Sequence, residues 1–134
     1  MPEAKTIKGI TKILVCDDDK AVSSFLERFL KEEGYVQVDI ALSQEEALEK
    51  ISKDRYQLVL LDINLSGIHG IGTLKRIKEI DNKITVIVIA DSSHKELARQ
   101  AVEMGAYDCI FKPFDLAHLK LLVLTKMLID YQLG

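Results

Sequence analysis

Two kinds of pattern alternate along the chain. Short segments rich in β-branched or aromatic residues lie at 13–16, 36–40, 58–61, 84–89 and 107–111, and such segments predict strands. Residues 59–61 and 86–89 are apolar throughout, as expected of parallel strands covered on both faces. Between the strands the spacing becomes helical. Val22, Phe25, Leu26, Phe29 and Leu30 form an i, i+3, i+4, i+7, i+8 stripe, with Glu27, Arg28 and Lys31 opposite. Shorter stripes follow at Ala47, Leu48 and Ile51, at Ile71, Leu74 and Ile77, and at Leu97, Ala98, Ala101 and Val102. A last one comprises Leu116, Leu119, Val123 and Met127.

Boundary residues agree with these elements. Gly34 sits where the first helix should stop, and Gly105 where the fourth should. Ser43 precedes Glu45 and Glu46 as an N-cap precedes acids in a first turn. Asp19 and Asp115 can cap the first and fifth helices. A strand followed by a helix, five times over, predicts an α/β domain. Its parallel sheet would be doubly wound with right-handed crossovers, in three layers.

Length and composition fit one such domain over residues 1–134, with its core at about 11–128. The chain has 134 residues, 48% hydrophobic and 29% charged, with 7 Gly and 2 Pro. That balance excludes a disordered tail, a collagen-like chain, a coiled coil and a loop-rich β protein. A domain of this size needs no disulfide or metal staple to fold. No apolar run approaches the ~20 residues that span a bilayer, and the first twelve residues lack a signal-peptide core. The net charge of −3 argues against direct nucleic-acid binding, which phosphate neutralisation drives. Cys16 and Cys109 lie in strand-like segments without CxxC or Cys/His spacing. They read as small buried hydrophobes in a reducing, cytoplasmic compartment.

In doubly wound sheets, ligands bind at the carboxyl ends of the strands, where the strand order reverses. The residues expected there are Asp17, Asp18 and Asp19, Asp39, Asp62, Ala90, Asp91 and Ser92, and Lys112 and Pro113. With strand order 2-1-3-4-5, the first and third strands are neighbours about 5 Å apart. Asp17, Asp18 and Asp62 would then converge, and like charges that close call for a cation. Hard carboxylate oxygens suit Mg²⁺. Lys112 adds a fixed positive charge, and the whole set could hold a phosphoryl group. The plainer reading, that Asp17–Asp19 only cap a helix, leaves Asp62 and Lys112 unexplained.

These segments resemble the receiver domain of two-component response regulators, a flavodoxin-like fold. Ile13-Leu14-Val15-Cys16-Asp17-Asp18-Asp19 is similar to the family's first strand and acidic pair. The run from Leu60 to Gly70 is similar to its phospho-acceptor segment. The run from Gly105 to Phe114 is similar to its last signature. The likeness covers roughly residues 11–127. It implies that Asp62 accepts a phosphoryl group from a sensor histidine kinase or phosphotransfer domain. It implies a Mg²⁺ (or Mn²⁺) site made by Asp17, Asp18, Asp62 and the Asn64 carbonyl, and a Lys112 paired with the acceptor. It also implies a cis Lys112–Pro113 bond. Such a domain catalyses only its own phosphorylation and dephosphorylation.

Three switch positions depart from the family pattern. Ala90 stands where a Thr or Ser is usual, Asp91 where a small residue is, and Cys109 where an aromatic or His is. Ser66 replaces a turn proline. A methyl cannot donate a hydrogen bond to a phosphoryl oxygen, and a thiol cannot act as a large rotamer switch. Ser92 or Ser93 could stand in for the hydroxyl. The alternative is therefore a receiver-like interaction or dimerisation module that works without phosphorylation. His69, His94 and His118 share no ligand spacing and read as solvated, and Tyr107 reads as packing. The last helix is apolar on more than one face, from Leu121 to Ile129. That excess predicts an interface on the side of the fourth and fifth helices, with a second copy or a downstream output domain. The chain ends directly after that helix, as a module excised from a longer regulator would.

Overall fold

A computed structural model describes residues 3–65 and 70–133. Five strands, β1 (Lys12–Cys16), β2 (Gln37–Ala41), β3 (Leu58–Asp62), β4 (Thr85–Ala90) and β5 (Asp108–Phe111), form one sheet. Their order is β2-β1-β3-β4-β5, and every pair is parallel. Six helices surround it: α1 (Ala4–Ile10), α2 (Lys20–Glu32), α3 (Gln44–Lys53), α4 (Gly70–Ile80), α5 (Lys95–Glu103) and α6 (Leu116–Leu133).

The two-residue period of each strand divides its side chains between two cores. Leu14, Cys16, Val59, Leu61, Val86, Val88 and Ala90 point to the layer that packs beneath α3, α4 and α5. Ile13, Val15, Leu58, Leu60, Ile87 and Ile89 point to the other, with Leu26 and Leu30 of α2 and Leu119, Val123 and Met127 of α6. Each such Leu, Ile or Val contributes about 1.5–3 kcal/mol by leaving water. All six β4 residues are buried, which explains the unbroken apolar run from Val86 to Ala90. A charge in that strand would have no solvated face.

The anticipated caps are present. Asp19 accepts from the amides of Ala21 (2.9 Å) and Val22 (3.3 Å), Ser43 from Glu46, and Asp115 from His118. Gly34 and Gly105 have φ of 106° and 112°, left-handed values that favour glycine.

Two features differ from the sequence reading. Residues 4–10 form a helix, α1, so ordered structure starts ahead of the expected core boundary at residue 11. Its one buried side chain is Ile7, which joins Met127 in the α2–α6 core. Thr11 Oγ1 closes its end on the Ile7 carbonyl (2.6 Å). Asp39, expected at the carboxyl rim, lies in the middle of β2, opposite Leu14. It accepts a 2.6 Å hydrogen bond from the Tyr56 hydroxyl. The buried phenol needs an acceptor, and Asp39 supplies it.

Candidate functional site

The site is assembled where β1, β3 and β5 end. Asp17 directly follows β1, and its amide still donates to Ala41 O of β2 (3.1 Å). Ladder bonding therefore fixes its position, and its side chain is fully buried. Asp18 projects into solvent from the same turn. Asp62 is the last residue of β3, half-buried, and its Oδ1 accepts from the Asn64 amide (3.1 Å). Lys112 follows β5, its amide bonded to Ala90 O (2.8 Å). The Lys112–Pro113 peptide is cis.

Asp17, Asp18 and Asp62 each offer a carboxylate oxygen within 4.8 Å of the others. Adjacency of β1 and β3 thus brings together acids 44 or 45 positions apart. Asp17 Oδ1 accepts from the Asp19 amide (3.0 Å). Its Oδ2 is buried without a hydrogen-bond partner, and Lys112 Nζ stands 3.6 Å from it. Burial, only partly offset by the Asp19 amide, raises the Asp17 pKa from 3.8 to about 6, and the neighbouring Asp62 charge adds to the rise. A buried carboxylate oxygen with no hydrogen bond, a single lysine 3.6 Å away and two further acids beside it is unfavourable in itself. A hard cation corrects both faults, so the donor set fits Mg²⁺.

The departing positions are also resolved. Ala90 is buried, its methyl among the α3–α5 core side chains. Asp91 leads into a three-residue 3₁₀ turn, Ser92–His94, that precedes α5. One of its oxygens accepts from the Ser93 amide (2.9 Å) and from Ser93 Oγ, and lies 3.0 Å from His94 Nδ1. Those contacts, the Ser93 hydroxyl foremost, hold the Asp91 carboxyl below its usual range. Of the two candidate substitute hydroxyls, that of Ser93 is engaged within its own turn. His94 is accordingly part of a cap rather than a free surface residue. His118 is exposed on α6, and His69 and Ser66 lie outside the described residues.

Cys109 is half-buried against the α3–α5 core, and burial pushes its thiol up to about 11. Cys16 is fully buried, and its thiol is raised further. Tyr107 is 41% exposed, with Lys126 Nζ 4.9 Å from its ring centroid. Sequence reasoning gave Gly70 no separate role. It is the first residue of α4, and its amide donates to Ile63 O.

A five-stranded parallel sheet with three acids and a lysine gathered at its carboxyl edge is an arrangement suited to holding a hard cation beside an anionic ligand. The response regulator receiver domain matches residues 13–124, and the chain belongs to that family of two-component response regulators. It is 36% identical over 109 residues to sporulation initiation phosphotransferase F of Bacillus subtilis, covering 81% of this chain and 87% of that protein. It is 35% identical over 114 residues to the transcriptional regulatory protein ZraR of Salmonella typhimurium. That match takes in 85% of this chain but 26% of ZraR, so the chain spans about a quarter of that relative. Among solved structures, a CheY-like receiver domain protein from Methanospirillum hungatei superposes with a TM-score of 0.86 at 27% identity, over 94% of this chain and all of that one. The receiver domain of NtrX from Brucella abortus gives 0.80 at 33% identity, over 87% and 98%. Among the described residues, no helix is long and apolar enough to cross a membrane.

Proposed function

We propose that Asp62 accepts a phosphoryl group from a phosphohistidine on a sensor histidine kinase or phosphotransfer domain. The observation that carries this is the buried Asp17 Oδ2, without a hydrogen bond, beside Asp18, Asp62 and Lys112. An Asp62 carboxylate oxygen attacks phosphorus and forms a P–O bond. The P–N bond breaks, and its electron pair leaves with the imidazole. In dephosphorylation a water oxygen attacks phosphorus, the P–O bond to Asp62 breaks with its electron pair leaving on the carboxylate, and inorganic phosphate departs with the water's proton released to solvent. Asp17, Asp18, Asp62 and the Asn64 carbonyl would hold Mg²⁺, or Mn²⁺ in its place, which neutralises the charge carried by the transferring oxygens. Lys112 neutralises part of that charge from the β5 side.

The Asp91–Ser93–His94 cap and the methyl of Ala90 favour a second reading, a receiver that works as an interaction module without phosphorylation. Val102, Met104, Tyr107, Phe111, Leu121 and Ile129 of α5, β5 and α6 and their flanks are all 38–62% exposed. This apolar surface suits a second copy or an output domain. Beryllofluoride, a phosphoryl mimic, separates the two readings. Phosphorylation at Asp62 requires Mg²⁺-dependent binding that Asp62→Asn abolishes. Dimerisation or docking without any such binding supports the interaction module instead.

A further inference from the structure

Gly70 is the first residue of α4 and is buried. A Cβ built on it would lie 2.7 Å from Ile63 O, 2.8 Å from Ile63 Cα and 3.0 Å from the Ile63 carbonyl carbon. All three are main-chain atoms, so no rotamer change relieves the contact. Gly72, one half-turn further on, would meet nothing within 4 Å. The contrast is internal to one helix: one glycine is sterically required and the other is not.

Ile63 joins Asp62 to Asn64. Its side chain is 1% exposed in the α3–α5 core, and its amide donates to Ile89 O of β4 (2.9 Å). On its other side the carbonyl receives the Gly70 amide. The α4 helix cannot easily recede, because Leu74 and Ile77 are fully buried and Thr73 Oγ1 is bonded to Gln44 Oε1 of α3 (2.5 Å). A side chain at position 70 would therefore displace the 62–64 backbone.

We infer that Gly70 is a positioning residue for the cation site. Its missing side chain lets α4 seat on Ile63 and so fixes the Asn64 carbonyl relative to Asp62. The inference rests on the ligand role proposed above for Asn64. Ligating groups displaced by several tenths of an ångström lose much of their effect, so Mg²⁺ affinity should fall by about tenfold or more.

The test is a Mg²⁺ titration of the full chain, followed by amide and carbonyl NMR well below each variant's melting temperature. Gly70→Ala should bind about tenfold or more weakly, with Asn64 resonances displaced before any metal is added. Gly72→Ala should bind as wild type does. A merely structural role would lower the melting temperature of Gly70→Ala but leave the affinity of its folded form unchanged. If Gly70→Ala needs help to fold, sucrose supplies it by favouring the compact state, and the same comparison is made with every variant in that medium. Wild-type affinity in Gly70→Ala overturns the inference. Asp18→Asn, run in parallel, tests the underlying site. Binding by Asp18→Asn equal to wild type, or no binding by wild type, overturns the cation site itself and the positioning role with it.

Discussion

Asp17 is where burial and charge conflict most. In the unfolded chain its carboxyl titrates near 3.8, and in the folded one near 6. A folded-state pKa that is raised means the folded state holds the proton more tightly. That contribution, on the order of 2–3 kcal/mol, is complete below about pH 4 and lost as pH rises through 6. The metal-free protein should therefore lose stability across that window, and Mg²⁺ should raise the melting temperature more above it than below. Calorimetry in chelator and in Mg²⁺ at several pH values checks this. An equal Mg²⁺ effect at all pH values would contradict the assignment of Asp17 to the site. The thiols give a second residue-scale expectation. Thiolate is the reactive form, so Cys109 should alkylate far more slowly in the native than in the unfolded protein, and faster as pH approaches 11. Cys16 should react only on unfolding. Equal native rates for a free thiol peptide and Cys109 would show that its half-buried position gives no protection.

At the scale of elements, the loop after β4 bears on how a phosphoryl group on Asp62, as proposed above, would be sensed. Asp91 ties that loop to Ser93 and His94, and Ala90 presents a methyl. A ligand shifts a conformational equilibrium only through contacts that differ between its states, and one such contact is missing here. Beryllofluoride should therefore perturb α5 less in wild type than in Ala90→Thr with Cys109→Tyr, measured as amide chemical-shift changes. Wild-type shifts as large as those of the double variant would mean that a serine of the loop supplies the contact after all. Most elements were legible because their periods are unambiguous: β4 is apolar from Val86 to Ala90 and α2 keeps a single stripe. The helix α1 was not, since seven residues with one buried anchor, Ile7, leave no stripe to read. Asp39 was misplaced for a related reason. A carboxylate near a strand end reads as rim, and only the fold brings Tyr56 from 17 residues away to bind it. The acids and lysine of the site were legible because each lies at the end of a strand. The steric demand at Gly70 was not, because it depends on a backbone approach that spacing does not encode.

For the whole molecule, two cores on one sheet make a rigid platform, and the outer surface of α6 is its least settled part. Leu121, Ile129 and Tyr131 are 62%, 42% and 47% exposed. If that surface serves a second copy, Leu121→Lys should lower self-association in sedimentation while leaving the melting temperature within about 1 °C, since exposed positions contribute little to the monomer. Unchanged association would remove Leu121 from the interface. The central claim concerns the carboxyl edge of the sheet. Its most direct test is the intact mass of the protein after incubation with a small phosphodonor and Mg²⁺. The account predicts one base- and hydroxylamine-labile phosphoryl adduct on the wild-type chain, none without Mg²⁺, and none on Asp62→Asn. An adduct that persists in Asp62→Asn, or that forms equally in chelator, would contradict it.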